Sequence, residues 1–230
     1  MTMYDSKLIT GKLKRWEKFM KKYSLPSYEE IPNLGLYMDQ VLTLMNQYLA
    51  PLTTTDVEDT AITAATINNY VRVKVMPAPE KKKYLRIHIA YLIIICTLKQ
   101  AMSISDIQAL LPANLSDEEM QMLYYEYSRC YKASVLFFVN EVKDETERIL
   151  STGARLLESE EKEREKRIGQ EEETESEEGM SEGQIEFDRA VKNLIFSSAT
   201  IANFSKLLTS KIIGLGGKEF TEEAVADRTV

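Results

Sequence analysis

Between residues 5 and 23 the apolar side chains Ile9, Leu13, Trp16, Met20 and Tyr23 recur at steps of three and four, with lysines on the remaining faces. That spacing predicts an amphipathic helix. The stretch SLPSYEEIPNLG follows, punctuated by Pro26, Pro32 and Gly35, and reads as an irregular connector. A second helix is predicted from Leu36 to Leu49, with Leu36, Val41, Leu44, Met45, Tyr48 and Leu49 as its apolar face; Pro51 ends it. Residues 53–59 suit a short helix, broken around Thr60 and Ala61. Thr63 then stands as the N-cap of a helix running to about Val73. Pro77-Ala78-Pro79 stops it, because the residue before a proline is pushed out of the helical region.

A helix from about Ile87 to Ala101 comes next, then a short one from Ser103 to Leu111, capped by Ser103 or Ser105. Strand signals are confined to a small hairpin around Met76–Tyr84. At Ser116 the run Ser-Asp-Glu-Glu has capping-box spacing. It opens a long helix carrying Met120, Leu123, Tyr127, Cys130, Tyr131, Ser134, Phe138 and Val142 at steps of three and four. Residues 158–183 are rich in glutamate and poor in core-forming residues, which predicts a solvated helix extension or, in the later half, a flexible linker. In the last segment, Ile185 to Ile213, Phe187, Leu194, Ile201, Leu208 and Leu215 recur every seven residues. Val191, Ser198, Ser205 and Ile212 fill the alternate seam, a coiled-coil-like stripe. The expected fold class is all-α.

Composition supports a globular chain: 44% of its 230 residues are hydrophobic and 28% charged. A formal net charge of -7 argues against a polyanionic partner, but the distribution reverses that. Residues 1–23 carry seven Lys/Arg against Asp5 and Glu17, a balance of +5. Residues 63–100 carry Arg72, Lys74, Lys81, Lys82, Lys83, Arg86 and Lys99 against Glu80, a balance of +6. The acidity gathers in residues 158–178, where eleven glutamates face four Lys/Arg.

Other chemistry finds little support. His88 is the sole histidine, and Cys96 and Cys130 lie far apart within apolar patterns, so no metal site is expected. Two such thiols point to a reducing compartment. The first residues lack the apolar core of a signal peptide, and Ile87–Leu98 is too short to span a bilayer. A cytoplasmic location is expected, with no membrane partner. There is no glycine-rich phosphate loop, nucleophile elbow or HExxH, so neither catalysis nor a cofactor is expected.

The order of elements from 53 to 111 resembles the DNA-binding domain of MerR-type regulators: a helix-turn-helix, a short wing, then two helices. Val57, Ala61 and Ile62 match the first helix and turn, Thr63 the cap, and Ile67 and Tyr70 the recognition helix. VKVMPAP resembles the loop into the wing, and Ser103–Ile107 a turn between the last two helices. Over about residues 15–112 the chain also resembles an uncharacterised bacterial family with a MerR-like helix-turn-helix, through LPSYEEIPN, LYMDQV, INNYV, MPAP, KKKY, HIAYL and LKQAMSI. The resemblance implies a MerR-like domain (53–112) and a long dimerisation-type helix (116–157); pattern and composition add an N-terminal helical region (1–52), an acidic linker (158–183) and a C-terminal amphipathic helix (184–217). It implies a transcriptional regulator, homodimeric, with DNA as partner.

DNA affinity needs phosphate contacts from Lys, Arg, amide and hydroxyl donors in a fixed array. The residues expected to supply them are Thr63, Thr66, Asn68, Asn69, Tyr70, Arg72 and Lys74, with Lys81, Lys82, Lys83, Tyr84 and Arg86 from the wing. Ala65 and Asn68 stand where the MerR family places arginines, and this favours an alternative: a helical protein–protein interaction module that no longer reads DNA.

Overall fold

The computed structural model describes residues 4–50, 62–168 and 181–215. Among them are eight helices: α1 (Ser6–Lys22), α2 (Met38–Leu49), α3 (Ala64–Arg72), α4 (Arg86–Leu98), α5 (Ile104–Leu110), α6 (Asp117–Glu141), α7 (Lys143–Ile168) and α8 (Glu182–Leu215). No strand forms among the described residues; two isolated antiparallel bridges, Leu36 with Tyr84 and Glu80 with Lys83, stand in for the expected hairpin. The fold is all-α. The helix expected over residues 53–59, with Val57 and Ala61, lies outside the described residues.

Side-chain caps set where several helices begin. Asp5, Thr63, Ser103 and Ser116 each accept a backbone N–H of the first turn, from Leu8, Thr66, Asp106 and Glu119 respectively. The Glu119 carboxylate reaches back to the Ser116 N–H at 2.8 Å, completing the capping box. Each such cap contributes about 1 kcal/mol.

Two cores result. The first surrounds α4, whose residues from His88 to Cys96 are all buried; a helix apolar on every side belongs at the centre of a domain. Ile31, Val41, Met45, Ile67, Tyr70, Ile107 and Tyr124 pack around it. The second core joins α1, α7 and α8 through Ile149, Leu156, Phe187, Ala190 and Val191, with Ile9, Leu13 and Leu194 at its edge.

Helix α1 runs antiparallel to α6 and α7. Trp16 meets Phe138 edge-on at 6.3 Å, while Tyr4 at the other end bonds α8 through Asp188 and Gln184. The expected long helix from Ser116 is broken at Val142, which has φ -91 and ψ 5. Buried Val139, Val142, Thr146 and Ile149 keep the three-and-four spacing across the break, so the apolar pattern carries no sign of it. The exposed glutamates at 158, 160 and 161 belong to α7, which extends to Ile168.

Candidate nucleic-acid interface

Thr63 opens α3. Its hydroxyl accepts the Thr66 N–H at 3.1 Å and lies 2.8 Å from the Thr66 hydroxyl, so both oxygens are locally engaged. Ala65, Asn68 and Arg72, three and four positions apart, are exposed and make the outward face. Asn69 is half-buried and accepts a bond from the Arg72 guanidinium at 2.5 Å, which steadies both groups. Ile67 and Tyr70 turn into the first core. Burial pushes the Tyr70 phenol up to about 12, and at 3% exposure it offers nothing to a surface ligand. Tyr70, expected among the phosphate contacts, takes the inward position instead.

Helix α3 ends in a Schellman motif. The Val75 N–H bonds the Tyr70 carbonyl and the Lys74 N–H bonds the Val71 carbonyl, both at 3.1 Å. This requires Lys74 to be left-handed, at φ 59. Gln108 of α5 secures the same corner, its side-chain amide donating to the Val73 and Lys74 carbonyls at 3.2 and 3.4 Å.

The wing is a minimal turn. Glu80 and Lys83 exchange backbone bonds of 3.1 and 2.8 Å, leaving Lys81 and Lys82 as its two central residues. Their φ values are 47 and 66. Two consecutive positive values are the signature of a type I′ turn, the geometry that asparagine–glycine favours. Both lysines are exposed.

What holds the turn in place is mostly buried. Tyr84, 3% exposed, exchanges two backbone bonds of 2.8 Å with Leu36 and sits edge-on to His88 at 5.8 Å. His88 accepts the Leu85 N–H at Nδ1 and lies 3.0 Å from the Ala78 carbonyl at Nε2. Nδ1 is occupied as an acceptor, so Nε2 carries the proton and donates to Ala78. One ring thereby caps α4 and fixes the Pro77–Pro79 loop. Arg86 donates from Nε to the Ile31 carbonyl at 2.8 Å and lies over the Tyr28 ring at 5.4 Å. Lys83 lays its stem against Gly35 and its ammonium 5.6 Å from the Tyr37 ring centre.

The expected set therefore divides. Thr63, Asn68, Arg72, Lys74, Lys81, Lys82 and Lys83 are exposed, and Thr66, Asn69 and Arg86 half-buried. Tyr70 and Tyr84 belong to the core, while Arg86 is committed to the loop before α2. None of its lysines or arginines forms a salt bridge with a carboxylate among the described residues. Sequence reasoning missed His88, Gln108 and Gly35 as supports. Only His88 left a trace, three residues after Leu85 at capping-box spacing.

The described residues hold no group of three or more His, Cys, Asp or Glu able to bind a metal. None of their helices is long and apolar enough to cross a membrane.

Residues 26–134 match a domain of unknown function, DUF1836. The match takes in most of the connector before α2, the first core except Tyr23 and Leu25, and the larger part of α6. It leaves α1, α7 and α8 outside. No curated protein and no solved structure matches the chain.

Proposed function

We propose that the chain is a non-catalytic DNA-binding regulator of MerR-like type, and that α3 and the lysine turn lie against the sugar-phosphate backbone. One observation carries the reading. The only non-glycine residues with positive φ among those described are Lys74, Lys81 and Lys82. A side chain in that region costs roughly 1–3 kcal/mol per residue, and glycine or asparagine would relieve it. A cation kept at three strained, exposed positions is what a polyanion would select. The contacts are positioning contacts to phosphate, with Asn68 reaching a base edge where the groove admits α3.

The test is fluorescence anisotropy with duplex DNA over a salt series. Affinity is expected to fall steeply as salt rises, because phosphate contacts release counterions. The variant R72E/K81E/K82E is expected to lose binding while its circular dichroism stays unchanged. No binding by the native chain at low salt refutes the reading.

A second reading has its own support. Ala65 is exposed on α3, and Arg86 and Lys83 are engaged with the chain's own backbone and rings. A protein–protein module would show these traits, and would retain its partner in the charge-reversed variant.

A further inference from the structure

Beside the break between α6 and α7, helices α1, α6, α7 and α8 border a cavity of about 530 Å³. That lies within the roughly 300–1,000 Å³ of small-molecule sites. Two rows of α1 shape it. Leu8, Lys12 and Trp16, four residues apart and all exposed, form a rim; Ile9 and Leu13, in the next row, are half-buried and form a wall. Val142 and Leu194 continue the apolar lining from the facing helices. Phe138 meets Trp16 edge-on at 6.3 Å and adds an aromatic pair. From Leu8 to Trp16 the rim runs about 12 Å, at 1.5 Å of rise per residue. The cavity is elongated.

Three polar side chains share this lining: Lys12, Thr146 and Ser198. Lys12 forms no salt bridge among the described residues. Thr146 is only 2% exposed, yet its hydroxyl makes no hydrogen bond among those residues. Buried polar groups are hydrogen-bonded in the great majority of cases, so a buried, unpartnered hydroxyl in an apolar wall marks a place where a ligand supplies the partner. No carboxylate of the described residues lines the cavity. Its one charge is the Lys12 ammonium.

We infer that this cavity binds a medium-chain carboxylic acid, its hydrocarbon chain along the apolar wall and its carboxylate between the Lys12 ammonium and the Thr146 hydroxyl. Charge selects the head group. An ammonium and a hydroxyl both donate, and a charge-assisted bond to a carboxylate is stronger than one to a neutral acceptor. The flexible stem of Lys12 lies along the rim, which lets its ammonium turn over the mouth. Shape selects the body, since a straight chain follows the long axis of the cavity. None of these residues belongs to α3 or the lysine turn, and the inference does not rest on DNA binding.

Trp16 is the sole tryptophan, so its fluorescence reports on this site in the full chain. Decanoate, titrated below its micellar range, is expected to shift the emission to the blue and to saturate. Decylamine, of similar length and opposite charge, is expected to leave it unmoved. Lys12→Gln, at an exposed position, and Thr146→Val, which keeps the side chain's shape, are each expected to weaken decanoate binding about tenfold with circular dichroism unchanged. Emission that does not move, does not saturate, or moves equally with decylamine overturns the inference. Native affinity in K12Q overturns it too, and that variant decides should T146V misfold. Native affinity in a folded T146V overturns the placement of the carboxylate beside that hydroxyl.

Discussion

Leu36 and Tyr84 face each other across an antiparallel bridge, each backbone N–H donating to the other's carbonyl at 2.8 Å. The contact ties the lead-in of α2 to the base of the lysine turn, and Gly35 lets it close. A Cβ at residue 35 would lie 2.9 Å from the Lys83 Cδ and 3.1 Å from its Cβ. Gly35→Val is therefore expected to cost about 1–3 kcal/mol through overpacking. Chemical denaturation measures it, and an unchanged midpoint would show that the turn is not seated on this segment.

The turn itself makes a sharper prediction, because stability and binding move in opposite directions. K81N/K82G installs the residues that a type I′ turn favours. The variant is expected to gain about 1–2 kcal/mol by relieving two left-handed lysines. It is also expected to lower the slope of log affinity against log salt by about 2, at roughly 0.9 per phosphate contact. Thermal denaturation and anisotropy on one preparation give both. A variant that gains stability and binds DNA as before would mean the lysines do not touch phosphate.

Much of this region was legible in the sequence. Thr63, Ser103 and Ser116 are caps because a hydroxyl precedes an amphipathic run, a local signal. The end of α3 near Val73 was expected from Pro77 and Pro79, but the left-handed Lys74 makes it before the chain reaches them. The left-handed lysines were not legible, since nothing local forces Lys-Lys into a turn built for Asn-Gly. Arg86 looked like another wing cation, and only the fold shows its guanidinium satisfied by Ile31, far away in the chain. The break at Val142 was hidden because the buried positions on either side keep one period. The α8 stripe read as a coiled-coil-like seam, and how much of it the chain's own helices cover is set by packing that periodicity does not reveal.

The two arginines of the basic region are expected to behave differently. Arg72 is exposed and, among the described residues, is bonded to its neighbour Asn69, so Arg72→Ala is expected to leave the melting temperature within about 1 °C and weaken DNA binding. Arg86→Ala removes a bond to a carbonyl and a cation–π contact, at a cost of roughly 1–3 kcal/mol. Equal effects of both on stability would contradict the division between surface and support.

Alkaline pH is expected to unfold the first core. Burial raises the pKa of Tyr70 to about 12 and of Tyr127 to about 12, and raises those of Tyr84 and Tyr131 as well. For an acid with a raised folded pKa, the neutral form is the one the fold favours. The stabilisation is fully present below the unfolded value of about 10 and is lost as pH climbs from there toward about 12. Ultraviolet titration of phenolate should show these rings ionising late and together with loss of helicity. Ionisation near pH 10 with the helices intact would place them in water.

The thiols test the same core at neutral pH. Cys96 is buried, and desolvation raises its thiol to about 11, whereas Cys130 is exposed on α6. Since the thiolate is the nucleophile, an aromatic disulfide reagent is expected to modify one thiol per chain promptly, and mass mapping to locate it at Cys130. Cys96 should react only in denaturant, or at a rate limited by unfolding. Prompt modification of Cys96 in the native chain would mean that α4 opens far more readily than a helix enclosed on every side allows, and the support for the lysine turn would fall with it.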